Sequence, residues 1–214
     1  MTHNFFAAIS RMKYIERWAL MRSSRAENLS EHAMEVAMIA HALCAIGNIR
    51  FGRHLDADRA AVIGLFHDAS EIITGDMPTP VKYYNEDIRK AYKDVEAIAE
   101  QRLLNRLPDD MKPVYEDIFG LSGLHFHASG DISDEELRAA EENERLLRRF
   151  VKAADKLSAL IKCIEEVNAG NNEFKTARIT LRDAVNRLAD ELPEVKVFRD
   201  EFLPPYGHTL DELS

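Results

Sequence analysis

The strongest chemical pattern in the chain is an adjacent histidine and aspartate, His67 and Asp68, followed by Glu71. Apolar residues dominate positions 61–66, and their spacing predicts that the polar trio lies in the middle of a largely buried helix. Burying ionisable side chains without partners is costly. Because imidazole and carboxylate groups are both direct ligands of divalent metals, a bound cation would offset that cost.

A second histidine and a distant aspartate support this interpretation. His32 lies just after the expected start of one helix, and Asp155 lies beside Ala153 and Ala154 within another. A carboxylate among small apolar residues needs a partner. An isolated His-Asp pair is more often a satisfied part of a core. The order His, His-Asp, Asp on three helices, however, resembles the metal-binding signature of the HD superfamily.

Arg17 and Trp18 form a second group of candidate residues. The planar fork of an arginine matches phosphate oxygens, and an indole packs on a sugar or a base. Together with Arg22 and Arg25 they form a local cationic patch in an acidic chain. Alternatively, Trp18 is a core residue and Arg17 is a solvated surface charge.

Helical spacing dominates the sequence and predicts an all-α fold with a single domain over residues 1–214. The expected helices have the approximate bounds 30–47, 57–74, 86–106, 133–168 and 174–192. Ser30 is the expected N-cap of the first and Gly47 its end. The fourth begins at a capping box, Ser133-x-x-Glu136, and is expected to break or bend before residue 149. The stretch LPEVKVF alternates weakly and is expected to form a short strand or an extended arm.

Composition and charge exclude several classes of protein. The chain is 46% hydrophobic and 30% charged, which is typical of a globular protein. Cys44 and Cys163 lie in apolar patterns and are expected to be reduced core residues. No long uncharged apolar run and no leader are evident, so we expect a cytoplasmic protein that binds no membrane.

The net charge restricts the class of ligand. Lys and Arg total 28 against 37 Asp and Glu, which gives −9 with neutral histidines. Broad electrostatic capture of a nucleic-acid polymer is therefore disfavoured. If the substrate is a phosphate, its charge must be met locally, by a metal or by a few arginines.

Long segments of the chain resemble the bacterial HD-domain 5′-deoxynucleotidase family. The resemblance covers most of residues 5–105 and 150–180. Its main segments are RMKYIERWALMRSSRAENLSEH, ENLSEHAMEVAMIAHAL, LFHDASEIITGDMPTPVKYYN, VKAADKLSA and EEVNAGNNEF. It implies an HD-domain helical bundle around one divalent metal ion, cobalt or manganese, and a homodimer. The implied reaction is hydrolysis of deoxyribonucleoside 5′-monophosphates to the deoxynucleoside and phosphate.

The resemblance also implies roles for individual residues. Glu71 would orient or deprotonate the attacking water, and Asp76 would protonate the leaving 5′ oxygen. The alternative interpretation of Asp76, without the resemblance, is a helix or turn cap. The implied metal ligands are His32, His67, Asp68 and Asp155. The residues implied to contact the substrate, with Arg17 on the phosphate and Trp18 against the sugar, are Arg17, Trp18, Asp68, Asp76, Met77, Pro78, Thr79 and Asp155.

Residues 120–140 depart from the family pattern and resemble an insertion, which could cover the pocket, extend a dimer interface or lie on the surface. Three alternatives remain open at this point. The first is an HD phosphohydrolase of another nucleotide, such as a triphosphate or an alarmone. The second is a metal-stabilised nucleotide-binding module without turnover, against which Glu71 and Asp76 count. The third is a purely structural helical domain, for which all four ligands would have to be accidental.

Overall fold

The computed structural model describes residues 2–82, 84–121 and 133–213, apart from the side chains of residues 79 and 80. These residues form helices and no strand, which confirms the predicted all-α class. The α-helices are α1 (Phe5–Ile9), α2 (Leu29–Phe51), α3 (Ala57–Phe66), α4 (Glu71–Thr74), α5 (Thr79–Lys82), α6 (Glu86–Leu104), α7 (Lys112–Phe119), α8 (Asp134–Asn168), α9 (Lys175–Glu191) and α10 (Pro193–Val197). Shorter helical turns are Ser10–Tyr14, Asn172–Phe174, Phe198–Phe202, Pro204–Gly207 and Leu210–Leu213.

The chain divides into two compact units, each assembled from separate stretches. The first unit comprises Met1–Leu20, Ala26–Ala33 and Leu65–Glu142. The second comprises Met21–Arg25, Met34–Gly64 and Asn143–Ser214. A single domain over residues 1–214 stays a prediction.

Two apolar clusters hold the first unit together. One joins α1 to α6 and to the turn after α3, and its buried members are Phe5, Ala8, Ala69, Leu103, Leu104 and Leu107. Tyr115 of α7 covers it, with its ring centroid 4.7 Å from that of Phe5. The other cluster joins the start of α2 to the turn Ser10–Tyr14 and comprises Met12, Leu29 and Ala33, with Ile72 of α4 against it. These clusters hold the start of α2 and the whole of α4 in place.

The second unit has one larger core. Its fully buried members come from α2, α3, α8, α9 and α10 and include Leu43, Ala60, Phe150, Val185 and Val195. Gly64 of α3 packs on the backbone of Ala37 in α2, where an added Cβ would lie 2.8 Å from the Ala37 Cα. A larger residue at position 64 would therefore push the two helices apart.

The boundaries of α2 differ from the prediction. Asn28, not Ser30, is the N-cap: its Oδ1 accepts hydrogen bonds from the backbone N–H groups of Ser30 and Glu31, at 3.0 and 3.1 Å. The reciprocal hydrogen bond is also present, since Glu31 Oε2 accepts from the Asn28 backbone N–H at 3.1 Å. This is a capping box that begins two residues earlier than a cap at Ser30 would. The helix continues through Gly47 and ends at Phe51, because Gly47 packs closely against Glu194 instead of turning the chain.

The predicted helix 57–74 is interrupted. α3 ends at Phe66, residues 67–70 form turns, and α4 ends at Gly75, which has φ +75° as a helix-ending glycine should. The helix predicted from residue 133 does not break, since α8 runs without interruption past residue 149. The expectation of a strand or an extended arm at LPEVKVF was wrong. This stretch forms α10, because Leu192, Val195 and Phe198 recur at helical spacing and are all buried.

By length and composition alone, α2 could cross a membrane, with a mean hydropathy of 1.3 over an 18-residue window. Of that window, 56% is buried inside the protein. Core helices of soluble proteins have the same composition, so the helix is weak evidence for a membrane span.

A buried carboxylate, Glu166, joins the segment 22–25 to α8 within the second unit. Ser24 donates to Glu166 Oε2 from its backbone N–H at 2.8 Å and from its hydroxyl at 2.7 Å, and Asn171 Nδ2 donates to the same oxygen at 2.8 Å. Lys162 Nζ donates to Oε1 at 2.6 Å. Burial opposes the charged form, but these hydrogen bonds outweigh it and lower the pKa of Glu166.

Replacing Glu166 with alanine is expected to lower the free energy of unfolding by about 3–5 kcal/mol, because the Lys162 ammonium would be left buried without its counterion. Urea unfolding measures this, with the exposed neighbour replaced in Glu165→Ala as the matched control. The pKa of Glu166 is lower in the folded state, so its stabilisation is present above the ordinary value of 4.5 and is lost as the pH falls through the folded-state pKa. The stability gap between the wild type and Glu166→Gln should therefore shrink in acid; a gap that grows would contradict this assignment.

Candidate metal centre and its surroundings

Three potential metal ligands converge in the first unit. His32 comes from the first turn of α2, and His67 and Asp68 come from the turn between α3 and α4. One ligand atom from each lies within 4.8 Å of the others. The Asp68 Oδ2 atom is 3.0 Å from His67 Nε2 and 3.7 Å from His32 Nε2. His32 is fully buried, whereas Asp68 is partly exposed.

The turn after α3 explains how two adjacent residues reach one point. On a continuous helix, neighbours point about 100° apart. Here the helix gives way to turns, in which the Ala69 N–H donates to the Phe66 carbonyl at 3.1 Å and the Glu71 N–H donates to the Asp68 carbonyl at 3.0 Å. Ala69 is buried in the α1–α6 cluster, which anchors the turn. The sequence pattern placed His67 and Asp68 on a helix, whereas the structure places both in this turn.

Asp155, the fourth predicted ligand, lies on α8 in the second unit. Its side chain is partly exposed, and Lys156 Nζ donates to its Oδ2 at 2.9 Å. Its role as a ligand and as a substrate contact stays a prediction.

Glu71 is buried beside the converging ligands, at the start of α4. Its relative exposure is 6%, and its Oε2 has no hydrogen-bond partner among the described residues. Burial, together with the negative charges of Asp68 and Asp76, raises the pKa of Glu71 to about 9, while Arg17 and Lys82 act in the opposite direction. A buried carboxyl group with an unsatisfied oxygen and a raised pKa is typical of a functional residue.

Asp76 directly follows Gly75, the glycine after α4. Its negative charge lies close enough to Glu71 to raise the pKa of that carboxyl group. The chain then passes through Met77 and Pro78, which are half-buried, into α5. Pro78 begins that helix, since its carbonyl accepts from the Val81 N–H at 2.8 Å. The side chain of Thr79 lies outside the described residues. Substrate contacts by these turn residues stay predictions.

Arg17 and Trp18 lie on a bend that directly follows Glu16, and Arg17 lies next to the ligands. A single antiparallel bridge pairs Glu16 with Asn28, and the Arg17 N–H donates to the Glu27 carbonyl at 2.9 Å. The Arg17 side chain is only 10% exposed, and its Nη1 lies 3.6 Å from Asp68 Oδ2. It is therefore not the solvated surface charge of the alternative interpretation. Trp18 is half-buried and has φ +60°, a left-handed conformation that is rare outside glycine.

Two charged residues of this region were missed by the sequence analysis. Glu27 contacts Trp18 and faces Arg17 and His32. Lys82 Nζ donates to Glu96 Oε1 at 2.7 Å. The positive charge of Lys82 also opposes the rise in the pKa of Glu71. Nothing in their residue types distinguished them from surface charges, although both lie in segments that carried the family resemblance.

The expected insertion at 120–140 falls largely on residues 122–132, which lie outside the described part of the chain. On either side, α7 ends at Gly120 with φ +76°, and α8 starts at the Ser133 capping box that the sequence predicted.

Comparison with known proteins places the chain in a family. Residues 4–206 match the family model described as 5′-deoxynucleotidase YfbR-like. A 5′-deoxynucleotidase of Shewanella oneidensis is 45% identical over 214 residues, which is 100% of this chain and 98% of that protein. The 5′-deoxynucleotidase YfbR of Escherichia coli is 43% identical over 211 residues, which is 99% of this chain and 96% of that protein.

Solved structures share the fold. An HD-domain phosphohydrolase of Listeria innocua superimposes with a TM-score of 0.74 at 23% identity, covering 95% of this chain and 88% of that one. A cyanophage HD phosphohydrolase bound to dA and one catalytic Zn²⁺ gives a TM-score of 0.60 at 16% identity, covering 92% of this chain and 95% of that one. These likenesses confirm the predicted HD-domain helical fold. The full-length matches identify the chain as a member of the YfbR-like family of 5′-deoxynucleotidases, the family and enzyme class that its sequence predicted.

Proposed function

We propose that this protein hydrolyses deoxyribonucleoside 5′-monophosphates to deoxynucleoside and phosphate at the site around His32, His67 and Asp68. The observation that carries the proposal is the convergence of these three ligand atoms within 4.8 Å, beside the buried Glu71. The family relationship supplies the class of substrate.

The donor set fits a divalent metal. Two imidazoles and a carboxylate suit several first-row cations, and cobalt or manganese is proposed on the family resemblance. Asp155 is proposed as a fourth ligand on the sequence pattern alone. A divalent cation, when bound, lowers the pKa of a water ligand and offsets the charge of phosphate oxygens.

Glu71 and Asp76 are proposed to move the protons. Glu71 accepts a proton from the attacking water while the oxygen of that water forms a bond to phosphorus. The bond between phosphorus and the 5′ oxygen breaks, and Asp76 donates the proton that the leaving 5′ oxygen requires. The position of Glu71 beside the converging ligands supports this role, because the charge of a cation held there would favour the carboxylate form, which can accept a proton.

Arg17 and Trp18 are proposed to recognise the two ends of the substrate. Arg17 binds the phosphate, and its position beside Asp68 supports this. Trp18 packs against the deoxyribose and crowds the 2′ position, so that a ribose hydroxyl is excluded. The turn of Met77, Pro78 and Thr79 lines the pocket, and Asp68 and Asp155 complete the substrate contacts.

The acidic charge of the protein is compatible with a small phosphate substrate, because one arginine and one bound cation can offset the charge of that phosphate. No broad basic surface is then needed, and the protein is proposed to bind no nucleic-acid polymer.

Phosphate release from dAMP and AMP in the presence of cobalt or manganese tests this function. We expect turnover of dAMP and at least about tenfold lower kcat/KM for AMP, because a sterically crowded sugar pocket rejects the added hydroxyl. No release from any deoxynucleoside monophosphate, or equal release from AMP, would contradict the proposal. Faster hydrolysis of dATP or of an alarmone would favour the alternative phosphohydrolase, and nucleotide binding without turnover would favour a binding module.

The protein is also proposed to form a homodimer in the cytoplasm. Met34 and Met38 lie one turn apart on α2 and are 53% and 58% exposed. An apolar face of this kind suits burial against a second copy, which light scattering of the purified protein would test. Cys44 and Cys163 are buried free thiols, which fits a reducing compartment.

A further inference from the structure

Glu27 lies where three groups of the proposed site meet. Its Oε2 accepts a hydrogen bond from Trp18 Nε1 at 2.8 Å, while its Oε1 lies 3.9 Å from Arg17 Nε and 3.8 Å from His32 Nδ1. Its side chain is only 13% exposed. Resting on the proposed function, we infer that Glu27 is a positioning residue that orients the Trp18 indole and thereby sets the preference for deoxyribose over ribose.

The backbone prepares this contact. The Glu16–Asn28 bridge and the bond from the Arg17 N–H to the Glu27 carbonyl bring Glu27 opposite the Arg17–Trp18 pair. Trp18 itself is held with φ +60°, which an unrestrained tryptophan rarely adopts. Unusual backbone conformations of this kind persist only where surrounding contacts enforce them, and they cluster at binding sites.

The indole has one polar group, its N–H, which can only donate. When Glu27 accepts from it, one edge of the ring is fixed, and the opposite edge is presented in a single orientation. Without an acceptor, the ring can turn about its side-chain bonds at little cost, because the outer torsion of tryptophan is broad. The crowding that rejects a 2′ hydroxyl therefore depends on the Glu27 carboxylate as well as on the indole.

Glu27 has a second effect, through His32. The Nδ1 atom of this imidazole faces Glu27, whereas its Nε2 faces Asp68. At 3.8 Å, the negative charge of Glu27 lies close enough to this imidazole to affect how tightly it would hold a cation. The effect of a Glu27 substitution on sugar preference must therefore be measured separately from its effect on metal affinity.

Kinetics of the metal-loaded protein separate these effects. Glu27→Ala is expected to lower the ratio of kcat/KM for dAMP to that for AMP by about tenfold, the order of one lost hydrogen bond to a charged group. Glu27→Gln keeps an acceptor for Trp18 and should retain most of the ratio. Glu27→Ala in a Trp18→Phe background should not change the ratio further. The matched control is Glu16→Ala, an exposed glutamate on the same bridge.

Fluorescence provides a readout that needs neither metal nor turnover, because the sequence contains one tryptophan. Glu27→Ala should shift the Trp18 emission and make it more accessible to acrylamide, whereas Glu16→Ala should leave both unchanged. An active wild type with an unchanged dAMP-to-AMP ratio in Glu27→Ala overturns the inference alone and leaves the proposed function intact. If the wild type releases no phosphate from dAMP, the proposed function fails, and unchanged emission in Glu27→Ala would then also overturn the positioning role.

Discussion

Replacing Glu71 with glutamine is expected to lower kcat for dAMP by about 10³-fold, within the 10²–10⁴ range of a lost general base. The amide is nearly the same size as the carboxyl group but cannot accept the proton of the attacking water. Metal content and dAMP binding should remain, since the proposed ligands and Arg17 are untouched. Phosphate release, elemental analysis and calorimetric titration of dAMP measure the three quantities.

The fold of this variant should be preserved. Burial raises the pKa of Glu71, so its charged form is costly in the folded protein, and a neutral amide removes that cost. The metal-free variant should therefore melt no lower than the metal-free wild type at neutral pH. Glu141→Gln, at an exposed position of α8, is the matched control and should behave as the wild type in every assay. Loss of metal from Glu71→Gln would instead place Glu71 among the ligands.

Replacing Asp68 with asparagine is expected to remove the metal and, with it, the activity. Asp68 Oδ2 lies within 4 Å of both histidines and of Arg17, so its charge is shared by the whole site. Loss of a residue that hydrogen-bonds to a metal ligand typically reduces metal affinity 10–100-fold. Loss of the charge of a ligand itself should therefore reduce the metal affinity by more than about 100-fold.

Elemental analysis after desalting measures this effect directly, and activity titrated against cobalt measures it independently. Asp58→Asn is the control, because Asp58 is an almost fully exposed aspartate on α3. If Asp68→Asn retains a full complement of metal, the converging triad is not the metal centre. If metal is lost but added cobalt restores wild-type kcat, Asp68 acts in binding the ion only, and its predicted contact with substrate is wrong.

Local features of the fold could be predicted because they depend on neighbours in the chain. The Ser133–Glu136 capping box is present, with the Ser133 N–H donating to Glu136 Oε2 at 2.9 Å. Gly75 and Gly170 have positive φ values of +75° and +87° and end helices where expected. In each case three or four consecutive residues supply the whole interaction.

Features that depend on distant residues were predicted wrongly. Ser30 and Asn28 are both good N-cap residues, and the bridge from Glu16 holds Asn28 in place to cap α2. The apolar spacing of 57–74 continues through the turn that follows Phe66, because Ala69 is buried against the distant α1 and α6 instead of within one straight helix. Spacing reports which residues are buried but not which partners bury them.

The sequence by itself determined the family and the all-α class, because the matching segments cover most of residues 5–105 and 150–180. It also singled out His32, His67 and Asp68 as candidate ligands, because ligand chemistry depends on side-chain type. The tertiary structure decided that His32 meets the His67-Asp68 turn, that Glu71 is buried with an unsatisfied oxygen, and that Glu27 holds Trp18. These contacts join residues that only packing brings together. Residue type cannot distinguish Glu27 from any other acid in the chain. The structure distinguishes it, because the Trp18 Nε1–H donates a hydrogen bond to Glu27 Oε2 at 2.8 Å.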